Sequence, residues 1–335
     1  MKRGVTLYSY TGDFQMGTMN LEQCVADVAD MEAEGIEILG ETHVEGYPNP
    51  SEEWVGQWHG LMEKYHTKPS CLDSFVDSML KKGSYLTVDE SIAMLVRDMK
   101  LANRLGFKIM RPTFGKSPIP VPELIEKALP YAEQYDLKVA IEIHSPARIE
   151  SDWMNSLLEV ISRTNTKRFG FTLDMSIFSK RPPHYFEDRM LRRGAHENIV
   201  RFVGKAYEDH LGPEKTMAEV RKMGGNEADL SWASLAGVYH FSDNPPQDLL
   251  KIMPYIYHIH GKFWEMTDDL QEYSIPYETV IPVLVKGGCG AYFSSEYEGP
   301  RELFRASDQL RRHQAMLRIL FGEAKETAVG RGTGD

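Results

Sequence analysis

The chain has 335 residues, 42% hydrophobic and 26% charged, which fits one large α/β domain or two small ones. A net charge of −11 without any dense Lys/Arg cluster argues against a nucleic-acid partner. No run approaches the roughly 20 apolar residues of a membrane span, the apolar run after Met1-Lys2-Arg3 is too short for a signal peptide, and Cys24, Cys71 and Cys289 form no CxxC pair, so a cytoplasmic chain with reduced thiols is expected.

Gly4 to Tyr10 is rich in β-formers and reads as a first strand. Asn20 with Gln23 makes a capping box for a helix whose buried face is Leu21, Cys24, Val25, Val28 and Met31. Ile36 to Glu41 is a second strand ending near His43. Ser51 caps a helix carrying Trp54, Val55, Trp58, Leu61 and Met62, and Pro69 to Phe75 is a weaker third strand. Thr87 and Glu90 form a second capping box, and that helix ends at Gly106. Phe107 to Pro112 is strand four, and Pro122 suits the first turn of the helix that follows. Strand five is Val139-Ala140-Ile141-Glu142-Ile143-His144, and strand six is Phe169 to Asp174. A long stretch with helical patterning around Ile199–Tyr207 and Met217–Met223 then interrupts the rhythm. Strand seven runs from Tyr255 to Lys262, strand eight from Ala291 to Glu298, and a last helix covers about 301–321.

Eight strands alternating with helices point to a (β/α)8 TIM barrel. The expected organisation is a single barrel over 1–321, a helical insertion at about 180–246 after strand six, and a flexible tail over 322–335. A doubly wound sheet would want a Gly-rich phosphate fingerprint after strand one, and Thr11-Gly12-Asp13-Phe14 is not one.

The chemistry gathers at the ends of strands five to eight. Glu142, Asp174, His260 and Glu296 are ligand-type side chains at four successive strand ends, where a barrel keeps its active site. Three carboxylates and an imidazole suit Mn²⁺, Mg²⁺ or Co²⁺. His258 shares a face with His260, and Glu298 shares one with Glu296, so each remains an alternative ligand. His144 lies on the face of Glu142, two residues further toward the mouth, as a candidate proton-transfer group; capping a loop carbonyl is the plainer alternative. Lys262 is placed to meet a substrate oxygen or an enolate, or is a surface lysine. Arg111, Glu41 and His43 end other strands and are candidates to bind substrate at the same mouth. Trp264 offers an aromatic face suited to a sugar ring or a flat aglycone.

With these motifs the sequence resembles the xylose isomerase-like barrel superfamily of sugar isomerases, epimerases and lyases. The resemblance covers nearly the whole chain and implies that Glu142, Asp174, His260 and Glu296 are the metal ligands, with His260-Gly261-Lys262 matching a recurrent His-x-Lys. Ketose 3-epimerases carry a histidine at the position of Ile177 and an arginine shortly after the strand-seven motif, where Phe263-Trp264-Glu265-Met266 has none. The runs Gly4–Tyr10, Glu142–Pro146, Gly261–Met266 and Ser295–Pro300 are similar to the α subunit of bacterial C-glycoside deglycosidases. That narrower resemblance implies a metal-dependent carbon–carbon lyase acting on 3-keto-C-glycosides by β-elimination, with a small β subunit as partner in a hetero-oligomer. A divalent-metal sugar isomerase or epimerase working through an enediolate is the alternative.

Overall fold

The computed structural model describes residues 1–115, 118–240, 244–300 and 306–323. Most of the expected tail, from residue 324 on, and the start of the expected last helix lie outside them. Eight parallel strands close into a barrel in sequence order, β1 pairing with both β2 and β8. They are β1 (Lys2–Thr6), β2 (Gly35–Leu39), β3 (Lys68–Val76), β4 (Ile109–Phe114), β5 (Lys138–Ile143), β6 (Phe169–Asp174), β7 (Ile256–Phe263) and β8 (Tyr292–Tyr297). Helices connect them: α1 (Leu21–Asp30), α2 (Glu52–Lys64), α3 (Val88–Arg104), α4 (Val121–Gln134) and α5 (Asp152–Thr164). Between β6 and β7 the described residues hold α6 (His184–Arg192), α7 (Glu197–Glu208), α8 (Pro213–Lys222) and α9 (Glu227–His240). α10 (Tyr277–Lys286) follows β7, and α11 (Ala306–Leu320) ends the described chain.

The helix starts follow the local chemistry. Asn20 Oδ1 accepts from Gln23 N while the Gln23 side chain accepts from Asn20 N, and Thr87 and Glu90 repeat the exchange before α3. The barrel helices turn their apolar stripes inward, so Val25 of α1, Leu95 of α3, Ala128 of α4 and Leu157 of α5 are fully buried.

Two strand ends fall earlier than the pattern of β-formers suggests. β1 stops at Thr6, whose hydroxyl accepts from Tyr8 N and turns Leu7–Tyr10 into a short 3-10 helix. β2 stops at Leu39, and Gly40–His43 forms a helical turn that folds the His43 ring back onto the Leu39 backbone. Local side-chain-to-backbone bonds end both strands, and an apolar pattern does not encode them.

Candidate functional site

Four adjacent strands each deliver one ligand-type side chain to the carboxyl-terminal mouth. Glu142 follows Ile141 in β5, Asp174 ends β6, His260 follows Ile259 in β7, and Glu296 sits near the end of β8. Alternation sends the apolar neighbours toward the helices and the polar groups inward. Asp174 and His260 are register partners, and so are Lys262 and Glu296. One ligand atom from each of Glu142, Asp174, His260 and Glu296 falls within 4.8 Å of the others. His260 Nδ1 lies 2.7 Å from Glu142 Oε1 and 3.4 Å from Glu296 Oε2.

Three carboxylates this close repel one another, and the surroundings answer with cations. Lys262 Nζ stands 2.7 Å from Asp174 Oδ2 and 3.5 Å from Glu296 Oε2. Arg111 approaches Glu142 Oε2 at 3.5 Å and bonds Asp73 Oδ1 at 2.9 Å through Nε. Burial pushes the Glu296 carboxyl up to about 7, Asp174 and Glu298 adding to it against the pull of Lys262 and His260. Burial also raises Asp174, partly offset by Lys262. Burial opposes ionising Glu142, but Arg111 and His260 outweigh it and hold its carboxyl well below the usual range. His260 is likewise penalised by burial, yet Glu37, Glu296 and Glu142 raise it well above an ordinary imidazole.

Glu296 Oε2 is buried and, among the described residues, accepts no hydrogen bond. A buried carboxylate oxygen without a hydrogen bond, beside two further carboxylates and an imidazole nitrogen, is what a divalent cation satisfies, and the absence of a thiolate among the four suits a hard ion. The four residues therefore fit a divalent metal.

The other expected residues are placed unequally. Lys262 is inside the cluster, and its Nζ also lies 3.6 Å from Glu298 Oε1. His258 lies deeper, fully buried, with Nε2 2.7 Å from Glu37 Oε2. Arg111 and Glu41 line one pocket of about 90 Å³ together with Asp73, Phe75 and Thr113. Thr113 Oγ1 also accepts from the Arg111 guanidinium. The His43 ring is buried behind the β2 turn against Phe14, and burial pulls its pKa down to about 4. Trp264 is buried against Phe186 of α6, beside a separate pocket of about 620 Å³ that also takes in Asp188, Tyr297 and Arg312. His144 sits just past β5, exposed, with Nδ1 2.8 Å from the Ser145 carbonyl oxygen.

Residues 25–320 match the family described as the xylose isomerase-like TIM barrel. The chain belongs to that family. Among characterised relatives it is 28% identical to the C-glycoside deglycosidase alpha subunit of Arthrobacter globiformis, over 88% of this chain and 84% of that one. It is 27% identical to the 3'-dehydrocarminate deglycosidase alpha subunit of a Microbacterium species, over 88% of each chain. The IOLI protein, solved with a bound zinc atom, shares the fold with a TM-score of 0.59 at 12% identity, over 98% of this chain and all of that one.

Within this xylose isomerase-like barrel, two site residues escape the sequence reading. Glu37 of β2 is fully buried and accepts from both His258 and His260; Asp73 of β3 is buried against Arg111. Glu37 had a usable signal, because Ile36-Glu37-Ile38 repeats the pattern of Ile141-Glu142-Ile143. Asp73 lies in Leu72-Asp73-Ser74-Phe75, where Ser74 beside it blurs the alternation. Among the described residues, no helix is long and apolar enough to cross a membrane.

Proposed function

We propose that the chain is the metal-holding subunit of a lyase that releases the aglycone from 3-keto-C-glycosides. The observation that carries the proposal is the largely buried group of Glu142, Asp174, His260 and Glu296 at the barrel mouth, together with relatives named as deglycosidase alpha subunits. Those four residues would hold the ion, with manganese the first candidate from the donor set. Bound there, the ion supplies positive charge where negative charge develops on the keto oxygen.

A ketone at C3 of the sugar makes the proton on C2 acidic. His144 takes that proton, and the electron pair moves into the C2–C3 bond as the enolate. Lys262 Nζ, already amid carboxylates at the mouth, steadies the enolate oxygen. As the enolate collapses, C1–C2 becomes a double bond, the bond from C1 to the aglycone carbon breaks, and that carbon takes up a proton. Arg111 and Glu41 hold sugar hydroxyls, with His43 behind them keeping the β2 turn in place. Trp264 borders the space for a flat aglycone. A small β subunit completes the enzyme, in the cytoplasm.

The test is aglycone release from a 3-keto-C-glycoside by the purified chain with its small partner. Wild type releases aglycone, and His144→Ala lowers turnover by roughly a hundredfold or more with the ion still bound. Equal rates in both proteins remove His144 as the base. Interconversion of free ketoses with the glycoside left intact replaces the lyase with an isomerase or epimerase.

A further inference from the structure

β2 and β7 are not neighbours in the barrel, since β8 and β1 stand between them. Glu37 of β2 nevertheless reaches across the interior to β7. Its Oε1 is 2.6 Å from His260 Nε2 and its Oε2 is 2.7 Å from His258 Nε2. All three side chains are fully buried, and the two imidazoles stand at 89° to one another.

An ionised carboxylate only accepts hydrogen bonds. Each Glu37 oxygen stands within hydrogen-bond distance of one ring nitrogen. Both Nε2 atoms must therefore carry hydrogen. With Nε2–H committed to Glu37, the remaining nitrogen of His260 is Nδ1, the atom facing Glu142 and Glu296. We propose that Glu37 is a positioning residue that sets both the ring angle and the tautomer of His260, so that Nδ1 is the nitrogen presented to the cation. His258 has a defined part in this device: it occupies the second carboxylate oxygen and stops Glu37 from rotating away. The inference rests on the proposed function only in that the four mouth residues bind a divalent ion.

Glutamine at position 37 exposes the logic. An amide has one acceptor oxygen and one NH₂ donor. It can accept from one imidazole, but it places a donor against the other. The opposed ring must then accept at Nε2 and carry its hydrogen on Nδ1. When that ring is His260, the metal-facing nitrogen is blocked. When it is His258, the mismatch moves one layer deeper and the tether loosens. A second change, His258→Gln, puts an amide oxygen where the NH₂ introduced by E37Q can donate, and it returns His260 to the Nε2–H form.

The experiment titrates metal-free wild type, E37Q and the double variant E37Q/H258Q with Mn²⁺ by calorimetry. A ¹⁵N-histidine spectrum of the zinc-loaded wild type reads the tautomer directly. Expected are one equivalent bound in wild type, a roughly 10- to 100-fold weaker Kd in E37Q, and substantial recovery in the double variant. The spectrum should show His260 protonated on Nε2 and metallated on Nδ1. Wild-type affinity in E37Q overturns the positioning role and leaves the metal reading standing. Zinc on Nε2 of His260 overturns it even if E37Q does not fold. Two equivalents in wild type, the second lost in both E37Q and C71S, also overturn it. Glu37, Cys71 and His258 offer ligand atoms within 4.8 Å of one another, and that result makes Glu37 a ligand of its own. No binding in wild type removes the metal reading itself.

Discussion

Lys262 occupies an ambiguous place, because an ammonium 2.7 Å from Asp174 neutralises the same carboxylates that would hold a divalent ion. Removing one partner of a buried ion pair leaves an uncompensated charge, at about 3–5 kcal/mol. Lys262→Met is therefore expected to lower the melting temperature of the metal-free protein while tightening Mn²⁺ binding. The gap between metal-free and metal-loaded melting temperatures widens. Thermal unfolding with and without the ion measures it, and an unchanged gap means the lysine does not compete with the metal. At this scale the sequence shows which residues carry chemistry but not how far they reach. Glu142 and His260 are legible because ligand types recur at successive strand ends. Glu37 interrupts an apolar strand in the same way, but its partners lie 221 and 223 positions away across the barrel. Asp73 is meaningful only beside Arg111, on the next strand. His144 shows the converse limit. Its spacing from Glu142 is plain in the sequence, yet the strand stops at Ile143 and the ring engages the Ser145 carbonyl.

Elements are more legible, because their rules are local. Capping boxes at Asn20 and Thr87 mark true helix starts, and the helical spacing of Cys24, Val25 and Val28 predicts the buried stripe of α1. What the pattern omits is packing between elements, and β7 shows the consequence. Gly261 separates His260 from Lys262, and its backbone approaches the rings behind the strand closely. A Cβ there would meet Phe293 Cε1 at 2.3 Å and His313 Cε1 at 3.2 Å. Neither ring is free to retreat, since Phe293 stands T-shaped to Phe321 and His313 stacks flat on Phe263 at 4.1 Å. Gly261→Ala is expected to destabilise the fold by about 1–3 kcal/mol through overpacking. Its second effect is to shift His260 and Lys262 inward and weaken divalent-ion binding. Denaturant midpoints and a metal titration read the two effects, and a variant as stable as wild type would show that the helix layer yields more easily than these contacts indicate. The helices α6 to α9 mark the other boundary of legibility. Two of the four follow clear apolar patterns at Ile199–Tyr207 and Met217–Met223. The pattern does not single out α6 and α9, and α6 is tied to the barrel by the Phe186–Trp264 ring contact, which depends on tertiary structure.

The whole molecule depends on closing its seam, where the first strand meets the last. β1 pairs with β8, and α11 covers the joint with a chain of buried polar groups. Arg3 donates to Gln314 Oε1 at 2.7 Å, and Gln314 Nε2 donates to Gly4 O at 2.8 Å and to Ser295 Oγ at 2.7 Å. Both amide hydrogens are then used, and the Ser295 hydroxyl is in turn hydrogen-bonded with His313 Nδ1, 2.7 Å away. Burial pulls the pKa of His313 down to about 3, so the ring stays neutral in the folded protein. The sign follows from proton counting. Between about pH 6.5 and pH 3 an unfolded chain protonates this histidine and the folded one does not, so stability rises with pH. The contribution is complete above about 6.5 and is lost as pH falls toward 3, at about 1.4 kcal/mol per pH unit for one group. His43, held at about 4 by its own burial, acts in the same direction over a narrower window. His313→Gln keeps a neutral polar side chain at the seam but cannot titrate. It is expected to be less stable than wild type at pH 7.5, since it loses the stacking on Phe263. Between pH 6.5 and 5 its stability should fall less steeply, by about 1.4 kcal/mol per unit, so the two curves converge in acid. Urea unfolding of both proteins at pH 7.5, 6.5 and 5.5 decides it. Parallel curves would mean that the seam opens to protons before the barrel unfolds, and that closure rests on the strand pairing of β1 with β8 and not on the neutral histidine behind it.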